Sequence, residues 1–142
     1  MRKMKMVGLL ISGDKESLFN MMECVANGHE IICLANLYID HNACEDIIEY
    51  YYEQIGSDIT PKIAEAMEVP IIRRQVSTLT PLKGNGEDLY ELLREVKDKH
   101  PYVQALSNPI FASEEELNCI EEVCKRLNLE NLNFISPRVN KE

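Results

Sequence analysis

No apolar segment of this 142-residue sequence is long enough to cross a bilayer, and basic residues are few. The N-terminal apolar run covers only residues 6–11, whereas a membrane-spanning helix needs about 20 apolar residues and a secretory signal about 7 or more. Asp and Glu number 24 against 15 Lys and Arg, and the resulting net charge of -9 should repel a nucleic-acid backbone. We therefore expect a cytoplasmic protein with neither nucleic acid nor a membrane as partner.

Cysteine and histidine do not form any familiar site in this sequence. The cysteines are odd in number, 5, and none belongs to a Cys-x-x-Cys pair, which argues against a zinc site or a disulfide framework. Cys119 and Cys124 have the spacing of buried residues on one helix, so we expect reduced core thiols. His29, His41 and His100 are scattered and are expected to be solvated. No spacing suggests a Ser-His-Asp or Cys-His arrangement.

Short apolar runs alternate with segments of helical periodicity along the whole chain. The periodic segments include one that ends at Gly28, one with Pro61 in its first turn, and one that Ser113 and Glu116 open as a capping box. We predict strands at residues 6–11, 31–38, 69–76, 102–106 and 132–135. This alternation predicts a single domain over residues 1–142, of the α/β class, with a doubly wound, Rossmann-like parallel sheet of five strands and helices on both faces.

In a doubly wound sheet, ligands bind outside the carboxyl ends of the strands, where the strand order reverses. The loops after the first, second and fourth predicted strands are therefore the places to look for a site. The first of these loops, SGDKES at residues 12–17, lies between an apolar strand and a predicted helix.

The residue types of the 12–17 loop suit an anion. Gly13 permits close approach of the backbone to a ligand, and Lys15 supplies a compact cation for phosphate oxygens. Ser12 and Ser17 offer hydroxyl donors, and the free N–H groups at the start of a helix favour negative charge. The spacing differs from Gly-x-x-x-x-Gly-Lys-Ser/Thr, so this is not the common nucleotide-binding P-loop.

A plain helix cap explains the same residues equally well. Ser12 or Ser17 would accept hydrogen bonds from the first turn, while Asp14 and Glu16 would lie where the helix dipole favours negative charge. Asp14 also opposes phosphate binding. A carboxylate ~5 Å from a phosphate charge, at an effective dielectric of ~20, costs about 3 kcal/mol, or about a hundredfold in affinity. The loop alone leaves both interpretations open.

The wider sequence resembles the N-terminal ATP-binding part of the diphthine-ammonia ligase family, within the PP-loop ATPases. That family's loop is Ser-Gly-Gly-Lys-Asp-Ser, from which this sequence differs at Asp14 and Glu16. The stretches NMMECVANGHEIICLANL, IAEAMEVPIIRR, GEDLYELLREVK and EEVCKRLNLE also resemble the family, in the same order. Together they cover nearly the whole chain.

The resemblance implies an enzyme that uses ATP to activate the carboxylate of diphthine, a modified histidine of elongation factor 2, as an acyl-adenylate. Ammonia then displaces AMP and gives diphthamide. The ATP-binding residues implied are Ser12, Gly13, Asp14, Lys15, Glu16 and Ser17 around the phosphates, Ala35, Asn36 and Leu37 near the adenine, and Ser107 and Asn108 near the reacting phosphate. Lys15 and Ser17 would be catalytic, and Glu16 would lie near Mg²⁺.

Two further departures from the family keep a second interpretation open. Asn108 stands where the family usually has Asp, and the sequence ends at Glu142, where the family continues into a second, C-terminal half that we expect to be absent here. The two functions to compare are therefore a diphthine-ammonia ligase and a nucleotide-binding or interaction module of the same fold with weakened or lost chemistry.

Overall fold

A computed structural model of the chain describes residues 3–11, 15–39, 60–76, 86–108 and 114–133. The strands are β1 (Lys5–Ile11), β2 (Glu30–Ile39), β3 (Ile71–Val76), β4 (Ala105–Ser107) and β5 (Glu130–Leu132). The helices are α1 (Lys15–Ala26), α2 (Thr60–Met67), α3 (Glu87–Lys99) and α4 (Glu114–Arg126). Within these ranges, no helix has the length and apolar character needed to span a membrane.

All five strands are parallel and are ordered β3-β2-β1-β4-β5, which confirms the predicted doubly wound α/β sheet. The order reverses at β1, which lies between β2 and β4. Ile11, the last residue of β1, is level with Leu37 of β2, whereas Gly8 is already level with Ser107, the last residue of β4. The carboxyl end of β1 therefore extends beyond that of β4, so this edge of the sheet is uneven at the switch point.

Side chains of the buried sheet alternate between two core layers, as expected for parallel strands covered on both faces. Val7 and Leu9 pack with the layer under α3 and α4, while Met6 and Leu10 pack with the layer under α1 and α2. The crossovers through α1 and α2 therefore cover one face, and those through α3 and α4 cover the other.

The structure differs from the predicted bounds of the last two strands. The prediction placed a strand at residues 102–106, but β4 begins at Ala105, because Pro101 and Tyr102 form a turn in which Tyr102 is exposed. The predicted strand at residues 132–135 is also shifted, since β5 pairs over Glu130–Leu132. Residues 134–142 lie outside the described part of the chain.

The prediction of solvated histidines was wrong for His29. Its side chain is buried, and its Nδ1 atom accepts a hydrogen bond from the backbone N–H of Met4 over 3.1 Å. The histidine holds the segment before β1 against the turn after α1, and no pattern in the sequence indicated that contact. The core positions of Cys119 and Cys124 are confirmed. His41 lies outside the described residues.

Candidate functional site

The first turn of α1 lies at the carboxyl edge of the sheet, immediately after β1. Lys15 and Glu16 open the helix, and the loop residues 12–14 lie outside the described part of the chain. Ser17, in the same turn, is only 1% exposed, and its Oγ atom has no hydrogen-bond partner within the described residues. A buried hydroxyl left without a partner costs about 1–3 kcal/mol. The buried Ser17 hydroxyl is therefore a candidate to hydrogen-bond a ligand.

Asn20 connects α1 to the two strands on the other side of the switch point. Its side chain is fully buried, and its Nδ2 atom donates to Ser107 Oγ over 2.8 Å and to the backbone oxygen of Leu132 over 3.2 Å. Ser17 and Asn20 are three residues apart and so lie on one face of α1. The helix that carries the predicted loop residues is thus fixed to the end of β4.

Sequence reasoning missed Asn20 because the apolar pattern of α1 gave no sign of it. The apolar Met22 and Val25 of this helix are exposed, while the polar Ser17 and Asn20 are buried. A signal was available: asparagine is an unfavourable residue in the interior of a helix and needs a hydrogen-bonding reason to be there.

Ser107 is the last residue of β4, Asn108 follows it directly, and both are buried. The backbone N–H of Asn108 donates to the Leu132 oxygen over 2.9 Å, so this one carbonyl accepts from both Asn108 and Asn20. The structure therefore brings Ser107 together with α1, and through Asn20 with the face that carries Ser17.

The stretch predicted near the adenine lies within β2, which continues to Ile39. Ala35 and Leu37 are buried in the layer under α3 and α4. Asn36 is also buried, and its Nδ2 atom donates to the backbone oxygens of Leu10 and Leu37 over 3.0 and 3.2 Å. Its amide therefore joins β1 to β2 near their carboxyl ends.

Two neighbouring arginines of β3 have different surroundings. Arg73 Nε donates to Asn36 Oδ1 over 2.9 Å, and its guanidinium lies 4.2 Å from the centre of the Tyr38 ring. Arg74 Nε pairs with the Asp88 carboxylate at 2.9 Å. The position of Arg73, beside a predicted ATP contact, was not foreseen.

Neither a reactive thiol nor a metal centre is evident in the described parts of the chain. Cys24 Sγ lies 4.0 Å from Asn20 Nδ2. Burial raises the pKa of the Cys24 thiol, which keeps the thiol protonated near neutral pH. Within the described ranges, no three His, Cys, Asp or Glu side chains are grouped so that they could hold a metal ion. The assignment of Glu16 to Mg²⁺ stays a prediction, because its side chain lies outside what the structure describes.

The parallel sheet, its strand order and the polar groups at its switch point define a Rossmann-like α/β protein. Residues 4–131 match the family model described as the diphthamide synthase N-terminal domain, and the chain belongs to that family.

Curated relatives are named diphthine–ammonia ligase. The chain is similar to those of Mus musculus (39% identity), Homo sapiens (38%) and Schizosaccharomyces pombe (36%), in each case over 93% of its own length. It covers 53% of the mouse and human proteins and 23% of the yeast protein, so it spans about half or less of the relatives it matches.

Proposed function

We propose that this chain binds ATP at the switch point and serves as an ATP-dependent amide ligase that converts diphthine on elongation factor 2 to diphthamide with ammonia. The names of the relatives support this role in diphthamide biosynthesis. The structural observation that carries it is the buried Ser17 hydroxyl, which has no partner within the described residues and lies at a helix N-terminus that Asn20 fixes to Ser107. The proposed location of the reaction is the cytoplasm.

The proposed reaction couples two displacements. A carboxylate oxygen of diphthine bonds to the α-phosphorus of ATP as the bond to pyrophosphate breaks. The ammonia nitrogen then bonds to the acyl carbon as the bond to AMP breaks, and a proton is released. The products are the amide, AMP and pyrophosphate, and no oxidant or reductant is required.

The residues of the PP-loop, as we propose it, act by positioning and by stabilising charge. The backbone of Ser12, Gly13 and Asp14 and the first N–H groups of α1 would surround the phosphates, with Lys15 and Ser17 as the catalytic donors. Mg²⁺, when bound, would neutralise phosphate oxygens, with Glu16 as its protein ligand.

The remaining contacts come from the strand ends. The Ala35–Leu37 stretch would lie near the adenine, and Ser107 and Asn108 would lie near the reacting phosphate. We further propose that residues 1–142 form one ATP-binding domain, which corresponds to the first part of the longer relatives.

Asp14 and Asn108 favour a second function, that of a binding module without ligase activity. Asp14 adds negative charge to the loop, and Asn108 cannot contribute a carboxylate to a metal. A module that binds nucleotide or a protein partner without completing the amidation would tolerate both residues.

The experiment that separates the two functions incubates the chain with ATP, Mg²⁺, ammonium and elongation factor 2 carrying diphthine. The ligase predicts AMP release together with conversion of the modified histidine to its amide, detected by mass spectrometry of the peptide. Lys15→Ala should abolish both products, whereas Lys62→Ala, an exposed site on α2, should leave them unchanged. ATP binding without AMP or amide would support the second function and contradict the first.

A further inference from the structure

We infer that Asn20 is a positioning residue of the proposed ATP site, which sets the first turn of α1 against Ser107 so that both can meet the same ligand. The inference rests on the proposed function, and it concerns a residue for which neither the loop motif nor the family resemblance suggested a role. Its basis is the pair of side-chain hydrogen bonds that cross the switch point.

Asn20 uses both hydrogens of its amide nitrogen on different strands. One bond reaches the Ser107 hydroxyl on β4 at 2.8 Å, and the other reaches the Leu132 carbonyl on β5 at 3.2 Å. The side chain is 0% exposed, so water does not compete for these bonds and they are stronger than they would be on the surface. The same nitrogen lies 4.0 Å from Cys24 Sγ, which is a longer and weaker contact, so the two oxygen acceptors set the orientation of the amide.

This arrangement also determines what the Ser107 hydroxyl can do. Because its oxygen accepts from Asn20, its own proton is the part left to donate. The Cys24 thiol also lies within hydrogen-bonding range of Ser107, but sulfur is a weak acceptor. A phosphate oxygen at the end of β4 would be the better partner, so Asn20 prepares Ser107 to donate to the ligand.

The sheet holds Ser107 independently of Asn20, whereas α1 has no backbone ladder to β4. β4 pairs with both β1 and β5, so the strand end remains in place when the Asn20 amide is removed. Without Asn20, the distance between Ser107 and the first turn of α1, which carries Ser17, would change. Loss of Asn20 should therefore weaken ligand binding through these two groups, beyond any effect on folding.

The test is a double-mutant cycle on ATP–Mg²⁺ affinity, measured by calorimetry on the whole chain. Asn20→Leu removes the donors and keeps similar bulk, and Ser107→Ala removes the hydroxyl. If Asn20 acts partly through Ser107, each variant binds ATP about tenfold more weakly, as for one lost hydrogen bond, and the double variant loses clearly less than the hundredfold that independent effects would give. Asn20→Ala, which also removes the donors but is smaller, replaces the leucine variant if that fails to fold.

The control is Val96→Ala, which removes buried side-chain volume on the opposite face of the sheet and should lower stability without changing ATP affinity. Multiplicative effects of Asn20→Leu and Ser107→Ala, about a hundredfold together, would overturn the positioning role while leaving ATP binding established. An unchanged affinity in Asn20→Leu would overturn it as well. Absence of ATP binding by the wild type at millimolar concentration would instead overturn the proposed function, and this role with it.

Discussion

A Cβ atom built on Gly8 of β1 would overlap the Sδ atom of Met21 in α1, so the helix rests almost directly on the strand backbone. Leu34 Cδ2 of β2 would lie 3.1 Å from the same point. A glycine inside a strand weakens the strand but permits such an approach. Gly8 thus sets the height of α1 above the sheet, and with it the positions of Ser17 and Asn20 relative to β4.

Gly8→Ala should therefore lower the free energy of unfolding by about 1–3 kcal/mol, the usual cost of overpacking a core. Urea denaturation measures the loss. Shortening the opposing side chain should relieve part of the strain, so the cost of Gly8→Ala should be smaller in a Met21→Ala background. Equal costs in the two backgrounds would show that Met21 does not limit the space at Gly8.

Two other glycines adopt left-handed backbone conformations and allow strain to be separated from crowding. Gly86, which precedes α3, has φ +66, and a Cβ there would lie 2.5 Å from Cys119 Sγ. Gly28, after α1, has φ +94, but its nearest neighbour is the flexible Lys3 side chain at 3.6 Å.

Gly28→Ala should lower the free energy of unfolding by about 1 kcal/mol, because it only places a Cβ atom on an unfavourable backbone conformation. Gly86→Ala should lower it further because the new Cβ atom also clashes. Thermal and urea unfolding of the two variants provide the comparison. Equal losses would show that Cys119 does not crowd a side chain at position 86. Cys119→Ala should reduce the loss of stability caused by Gly86→Ala, but not the loss caused by Gly28→Ala.

The fold could be predicted from the sequence because the spacing of apolar residues indicates which side chains are buried. Five alternations of strand and helix predicted the parallel sheet, and Pro61 lies in the first turn of α2 as its fixed φ requires. Bounds were less accurate where apolar residues continue into turns, as at Tyr102, since hydrophobicity alone does not distinguish a strand end from a turn.

The candidate site was only partly predictable for a related reason. Residues 12–17 follow a local pattern, and the carboxyl end of β4 could be placed from topology. The contacts made by Asn20 and His29 join residues 87 and 25 positions apart, respectively, and no local pattern encodes such pairs. Polar residues inside apolar segments were the available sign, because burial obliges them to find partners.

The buried thiols predict a loss of stability at high pH. Burial raises the pKa of Cys33 to about 11 and that of Cys124 to about 12, from 9.0 for an ordinary thiol. Above pH 9 the folded state therefore holds protons that the unfolded state releases, and the free energy of unfolding falls as pH rises from 9 toward 11. Each thiol contributes a slope of at most about 1.4 kcal/mol per pH unit.

Urea denaturation at several pH values tests this sign. The wild type should lose stability more steeply between pH 9 and 11 than Cys124→Ala, while the two curves should run parallel below pH 8. Parallel curves over the whole range would show that the Cys124 thiol does not titrate differently in the folded and unfolded states.

Asp14 is predicted to weaken ATP binding through its charge. Asp14→Gly should lower the ATP–Mg²⁺ dissociation constant by about a hundredfold, which corresponds to the roughly 3 kcal/mol of repulsion expected at ~5 Å. Asp14→Asn removes the charge and keeps the Cβ atom, so it should recover most of the gain. No gain in either variant would show that the carboxylate is remote from the bound phosphates.

The most direct test of the account is calorimetric titration of ATP–Mg²⁺ into the wild type and Ser17→Ala, combined with the urea stability of both proteins without ligand. Because Ser17 Oγ has no partner within the described residues, we predict that Ser17→Ala leaves the free energy of unfolding unchanged or raises it, and weakens ATP binding about tenfold. Loss of stability with unchanged affinity, or no binding by the wild type at millimolar ATP, would contradict the account.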